Sequence, residues 1–202
     1  MICFNRILTH QKATLNYLGN FFMHTKRLLT ISFILAFFVS LPSFAASKEE
    51  IDAKVQETLQ TFYKFSSAGE LLTKKSVGIL VFPSIIKAGF VAGGEFGEGA
   101  LVVDGKVKDY YNSASASFGF QIGAQERSEV ILFMDKNALE KFEQSEGWDA
   151  GIDGSIAITT LGAGKDFTIE NSKEPVIGFA FGMKGLMGNL TLEGTKITRV
   201  RK

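Results

Sequence analysis

The feature that most constrains the fold is a series of short apolar runs, each broken by glycine. VGILVF (residues 77–82) is apolar on both faces and is followed by Pro83. A run of that length and continuity reads as a buried strand, which Pro83 is expected to end. Residues 88–103, AGFVAGGEFGEGALVV, carry glycine at short intervals, and Asp104-Gly105 then supplies a tight hairpin into KVKDYYN. SASFGFQIGAQ and EVILFM follow, with Gly119 and Gly123 as sites for a bulge, a sharp bend or a close backbone approach. GSIAIT, VIGFAFG and GLMGNLTLEGTKITRV complete the series, with Leu190 and Leu192 alternating against Thr191 and Glu193 in the last.

Two segments have helical rather than strand periodicity. Ile51, Val55, Leu59, Phe62 and Phe65 fall on one helix face, with Glu49, Glu50, Lys54, Glu57 and Lys64 on the other. This predicts a helix over 49–66, ended by Gly69, with a short helical turn through Leu71 and Leu72. Asp135 is the expected N-cap of a second helix, 136–145, with Ala138, Leu139 and Phe142 inward and Gly147 as terminator. Strands bracketed by helices predict an α+β fold with a curved, mainly antiparallel, glycine-rich sheet, barrel- or sandwich-like and flanked by helices. A membrane porin needs about ten alternating residues per strand, which a run such as VGILVF does not offer.

The first 45 residues do not read as part of that fold. From Met23, Lys26 and Arg27 precede an apolar stretch from Leu28 to Val39, Pro42 breaks it, and Ser43 and Ala45 supply small residues for cleavage before Ala46. That is the layout of a secretory signal peptide. The apolar core is shorter than the roughly 20 residues of a spanning helix; an uncleaved N-terminal anchor is the alternative. Residues 1–22 have no such logic and read as an extension upstream of the true start. The expected organisation is therefore 1–22 extension, 23–45 signal peptide and 46–202 one domain, periplasmic or envelope-associated after cleavage. No Cys follows the apolar core, so lipoprotein attachment has no support.

Removing 1–45 changes the chemistry available. The leader holds four basic residues (Arg6, Lys12, Lys26, Arg27) and no acid, so 22 basic residues become 18 against 21 acidic, a net charge of −3. Broad nucleic-acid binding is not expected at that balance. His10, His24 and Cys3 are the chain's only histidines and cysteine, and all three lie in the leader. Residues 46–202 therefore have no imidazole or thiol for a Ser-His-Asp triad, a cysteine nucleophile, a His or Cys zinc site, or a disulfide. Stability must come from packing, and no cofactor or metal is expected.

Two carboxylate pairs remain as candidate chemistry. Glu95 and Glu98 sit in GGEFGEG, and Asp149 and Asp153 in WDAGIDG. Paired acids can serve glycoside hydrolysis or hold a hard cation, but beside glycine they read more simply as solvated turn residues. Gly162, Gly164 and Lys165 lack the Ser or Thr and the upstream glycine of a phosphate loop.

Four segments, in order, resemble the SYLF-domain family: SVGILVFPSIIKAGFVAGGEFGEGAL, YYNSASASFGFQIGAQ, EGWDAGIDGSIAI and FAFGMKGLMGNLTLEGTKITRV. Eukaryotic members of that family bind phosphoinositides and regulate cortical actin, and bacterial members are exported lipid-binding proteins. The resemblance implies a non-catalytic domain that recognises anionic phospholipid head groups at a membrane surface. It places the binding positions at Lys75, Lys87, Lys184 and Lys196, with Lys74 adjacent. An envelope protein-interaction or scaffolding module is the competing reading, and the oligomeric state is left open. Tyr110, Tyr111 and Trp148 fit either a core or a membrane interface.

Overall fold

Ser47 opens the first helix: the Glu50 N–H donates to its hydroxyl at 3.1 Å, and Glu49 and Glu50 put negative charge at the positive end of the helix. This helix, α1 (Lys48–Phe65), buries Ile51, Val55, Leu59 and Phe62 as the periodicity predicts. It ends earlier than Gly69. Ser66 turns extended, its own N–H still bonding Phe62 O, and its hydroxyl accepts from the Gly69 N–H at 2.9 Å to start α2 (Ser67–Thr73). Gly69 therefore sits inside α2, where a Cβ would lie 2.5 Å from the Phe62 ring. Close packing, not helix termination, is what requires glycine there.

The computed structural model describes residues 46–89, 92–118, 123–150, 153, 156–160, 174–185 and 194–202. The proposed extension and signal peptide (with His10, His24 and Cys3), Gly119, the Gly162–Lys165 segment and the Leu190/Leu192 alternation lie outside those residues.

Eight strands follow: β1 (Gly78–Gly89), β2 (Ala92–Val103), β3 (Lys106–Phe118), β4 (Gly123–Phe133), β5 (Trp148–Asp149), β6 (Ile156–Thr160), β7 (Val176–Gly185) and β8 (Lys196–Val200). Helix α3 (Lys136–Gln144) lies between β4 and β5, capped by Asp135 accepting from the N–H groups of Asn137 and Ala138. Pro83 does not end β1. It sits where the register of β1 slips against both β2 and β4, between Val81 and Ile85. A bulge leaves one residue out of the ladder, so proline's missing N–H costs nothing there. The hairpin at Asp104-Gly105 forms as expected, with φ of 50° and 75°, the paired positive values of a type I′ turn.

The strands form one open sheet in the order β5-β8-β3-β2-β1-β4-β7-β6, with every pairing antiparallel except β6 with β7. The α+β class, the mainly antiparallel sheet and the flanking helices are as predicted. Neither a barrel nor a second sheet is needed to bury the apolar faces, because helices cover both. On one face α1 and α2 pack Ile51, Val55, Leu59 and Phe62 against Val81, Val130, Phe179 and Phe181. On the other, α3 packs Leu139 and Phe142 against Phe133, Tyr111 and Trp148. Tyr110, Tyr111 and Trp148 are thus core residues, each under a tenth exposed. Residues 46–202 form one compact unit, and both clusters are drawn from it. Among the described residues no helix is long and apolar enough to cross a membrane.

Candidate functional site

The helices cover only one half of the long strands, and this asymmetry generates the candidate site. Beyond the bulge, β1 through β4 continue as a four-stranded ribbon, and strand alternation sends their side chains to opposite faces. The two faces differ in chemistry.

On the α3 face the ribbon buries charge. Lys87 Nζ is 3.1 Å from Glu95 Oε1, and Arg127 Nη2 donates to Glu95 Oε2 at 2.7 Å; the three side chains are 8, 9 and 1% exposed. Glu129, equally buried, lies 3.6 Å from Arg127 Nη2, an ionic contact too long for a hydrogen bond. Burial pushes the Glu129 carboxyl up to about 7; Arg127 opposes the shift and Glu95 adds to it. Arg127 Nε, Gln125 Oε1 and Glu129 Oε2 have no hydrogen-bond partner. Gln125, Arg127 and Glu129 recur at the two-residue period of one strand face. The sequence carries that period, but alternating polar residues ordinarily mark a solvent face, and here they mark a buried one.

On the α1 face the ribbon is bare. Register aligns one transverse row across six strands: Lys184, Glu126, Ile86, Phe96, Ala114 and Lys196. Ile86 and Phe96 face each other across the β1–β2 pair and are 56 and 51% exposed. The next row outward, Ala124, Ala88, Gly94 and Ala116, is small, apolar and exposed. One row inboard, Phe181 stacks on the half-exposed Phe65 of α1 with ring centroids 5.6 Å apart. Lys184 is 80% exposed and 3.9 Å from Glu126, and Lys196 stands opposite Asp149 at the edge of the sheet. The two lysines are five strand steps apart, roughly 24 Å at the usual spacing.

The five lysines singled out in the sequence therefore separate into groups. Lys184 and Lys196 share the bare row. Lys74 and Lys75 are exposed at the end of α2, where a bond from Lys74 to Glu70 raises the Lys74 pKa. Lys87 faces the opposite side, enclosed and bonded to Glu95. Nothing local in the sequence marks Ile86 and Phe96 as exposed, although Phe96 is the one large apolar side chain within GGEFGEG.

The carboxylate pairs do not converge. Glu95 and Glu98 are an odd number of residues apart in one strand and so project to opposite faces. Glu98 accepts from the Ala46 N–H at 2.9 Å and from Lys202 Nζ at 2.6 Å. Asp149 and Asp153 close a local turn, the Asp149 N–H donating to Asp153 Oδ2 at 2.6 Å. Among the described residues no group of three or more His, Cys, Asp or Glu side chains is placed to hold a metal.

The family model Ysc84, described as Las17-binding protein actin regulator, matches residues 114–202. No curated protein matches the chain significantly. The match begins inside β3, yet β3 pairs with β2 and β4 pairs with β1 along most of their lengths. The folding unit is accordingly larger than the matched segment and takes in α1, β1 and β2.

Proposed function

We propose that the chain, whose residues 114–202 match the Ysc84 (SYLF-domain) family model, is an exported, non-catalytic protein that binds anionic phospholipid head groups at the cell envelope. The observation that carries this reading is the placement of Lys184 and Lys196 on one exposed row of the bare face. Lys184's contact with Glu126 is long and solvent-exposed, worth little, so the ammonium is free to exchange that carboxylate for a phosphate. Lys74 and Lys75 add cationic groups at the end of α2. Lys87 has a structural part in this reading, as counter-ion to Glu95. The protein acts after removal of residues 1–45, in the periplasm or on an envelope membrane.

The test is co-sedimentation of residues 46–202 with phosphatidylglycerol-containing vesicles and with phosphatidylcholine vesicles. Binding to the first, weakened by salt and by joint Lys184→Glu and Lys196→Glu replacement, is the expected result. Absence of binding to both refutes the reading. The family description names a protein partner, Las17, which favours an envelope protein-interaction module as the second reading; stoichiometric capture of one envelope protein without vesicle affinity selects it.

A further inference from the structure

We infer that the bare half of the sheet is a membrane-insertion surface: Ile86 and Phe96 enter the acyl boundary of the bilayer while Lys184 and Lys196 hold the head groups on either side. This rests on the lipid-binding reading and adds to it the residues that enter the membrane and an apolar contribution to binding.

Four observations support a bilayer as the occupant. The first is the shape of the face. Two large apolar side chains stand directly opposite each other on a floor of Ala88, Gly94, Ala114 and Ala116, all exposed. A protein partner is normally recognised through a packed, shape-complementary core with hydrogen bonds at about one per 100–200 Å². The alanine and glycine side chains of this floor offer no donors, and a fluid acyl layer requires none.

The second is the arrangement of charge. The row is apolar in its middle and cationic toward both ends, about 24 Å apart at the usual strand spacing. Each lysine has a long apolar stem that can lie along the inserted surface while its ammonium stays at head-group level. Glu126 and Asp149 beside them cancel their charge at long range. Attraction over distance is therefore weak, and apolar burial must supply much of the affinity.

The third is where the chain enters the unit. The Ala46 N–H is bound to Glu98, which shares its face with Phe96 two residues away on the same strand. The apolar segment Leu28–Val39 lies just upstream in sequence, so the polypeptide emerges at the border of the bare face. On the export reading proposed above, the leader is joined to the unit at that border. The fourth is contrast: the other face of the same four strands keeps its charged side chains enclosed. Among the described side chains of these four strands, the large exposed apolar ones, Ile86 and Phe96, both lie on the α1 face, and contiguous exposed apolar patches commonly mark interaction surfaces.

The experiment places a reporter in the row. Phe96→Trp in residues 46–202 adds an exposed indole, and the chain's single native tryptophan, Trp148, is buried and serves as the blank in the unsubstituted protein. With phosphatidylglycerol vesicles containing lipids brominated along the acyl chain, the expected result is a blue shift and quenching of the new indole alone. Joint Ile86→Ser and Phe96→Ser replacement should weaken vesicle partitioning by about tenfold or more, judged by the apolar area each side chain exposes. Both positions are half exposed, and an unchanged near-ultraviolet circular dichroism spectrum confirms that the doubly substituted domain is folded.

Vesicle binding with an unquenched, unshifted indole overturns the insertion while leaving head-group recognition standing. No vesicle binding by any form overturns both. A concentration-dependent blue shift without lipid, accompanied by a dimer that the double replacement abolishes, assigns the face to a second copy of the chain and overturns the proposal.

Discussion

Replacing Glu95 by glutamine removes the carboxylate shared by the two buried cations, and the structure fixes what that should cost. Glu95 lies 3.1 Å from Lys87 Nζ and 2.7 Å from Arg127 Nη2, with all three side chains under a tenth exposed. At an effective dielectric of about 20 the attractions are about 5 and 6 kcal/mol, largely cancelled by the desolvation of the charges. What the substitution exposes is the uncancelled part: two cations left in a low-dielectric site, a loss of about 3–5 kcal/mol. Glutamine still offers one acceptor oxygen, so the low end, about 3 kcal/mol, is expected. For a domain of this size that lowers Tm by roughly 6–12 °C. The effect should also depend on pH. Glu95 is one of the influences that raise the Glu129 carboxyl, so in the variant Glu129 ionises more readily and partly replaces the lost charge. The loss should be larger at pH 5 than at pH 8. Urea unfolding monitored by the single buried Trp148 measures it. A loss below about 1 kcal/mol at both pH values would mean that these charges are hydrated and the packing of the α3 face is misjudged.

Three further outcomes are expected. The folded-state Glu129 carboxyl is raised from 4.5 to about 7, so its contribution to stability is complete below about pH 4.5 and is lost as pH rises through about 7, by roughly 3 kcal/mol. Glu129→Gln should flatten that part of the stability–pH curve, and parallel curves for the two proteins refute the assignment. At Gly99 a Cβ would stand 2.2 Å from Val81 O, so Gly99→Ala should cost about 1–3 kcal/mol in urea unfolding; an unchanged midpoint contradicts the close strand approach. Asp135→Ala removes the acceptor of two N–H groups at the start of α3 and should cost about 1 kcal/mol, with no change in vesicle binding.

Much of this architecture is legible in the sequence because the signals are local. Ile51, Val55, Leu59 and Phe62 specify one helix face by spacing alone, Asp135 caps α3 through its neighbouring N–H groups, and Asp104-Gly105 has the backbone freedom its turn requires. Pro83 misleads because a bulge, which depends on β2 and β4 arriving on either side, absorbs its missing donor. Gly69 misleads because its reason is tertiary: the Phe62 ring occupies the space of a side chain. The open sheet follows from helices covering both faces, which no strand pattern records. The site was legible only in part. Lysines can be counted in a sequence, but which share a face depends on register, and register joins Lys184 to Lys196 while turning Lys87 the other way. Phe96 gains its exposure from α1 ending its coverage one row inboard, a matter of helix placement rather than of residues near position 96.

The reading as an adhesion domain for membranes meets its most direct test in native mass spectrometry of the protein released gently from its own envelope. The account predicts retained phospholipid with an anionic head group on a chain that begins at Ala46. A lipid-free protein held in stoichiometric complex with another envelope protein would contradict it.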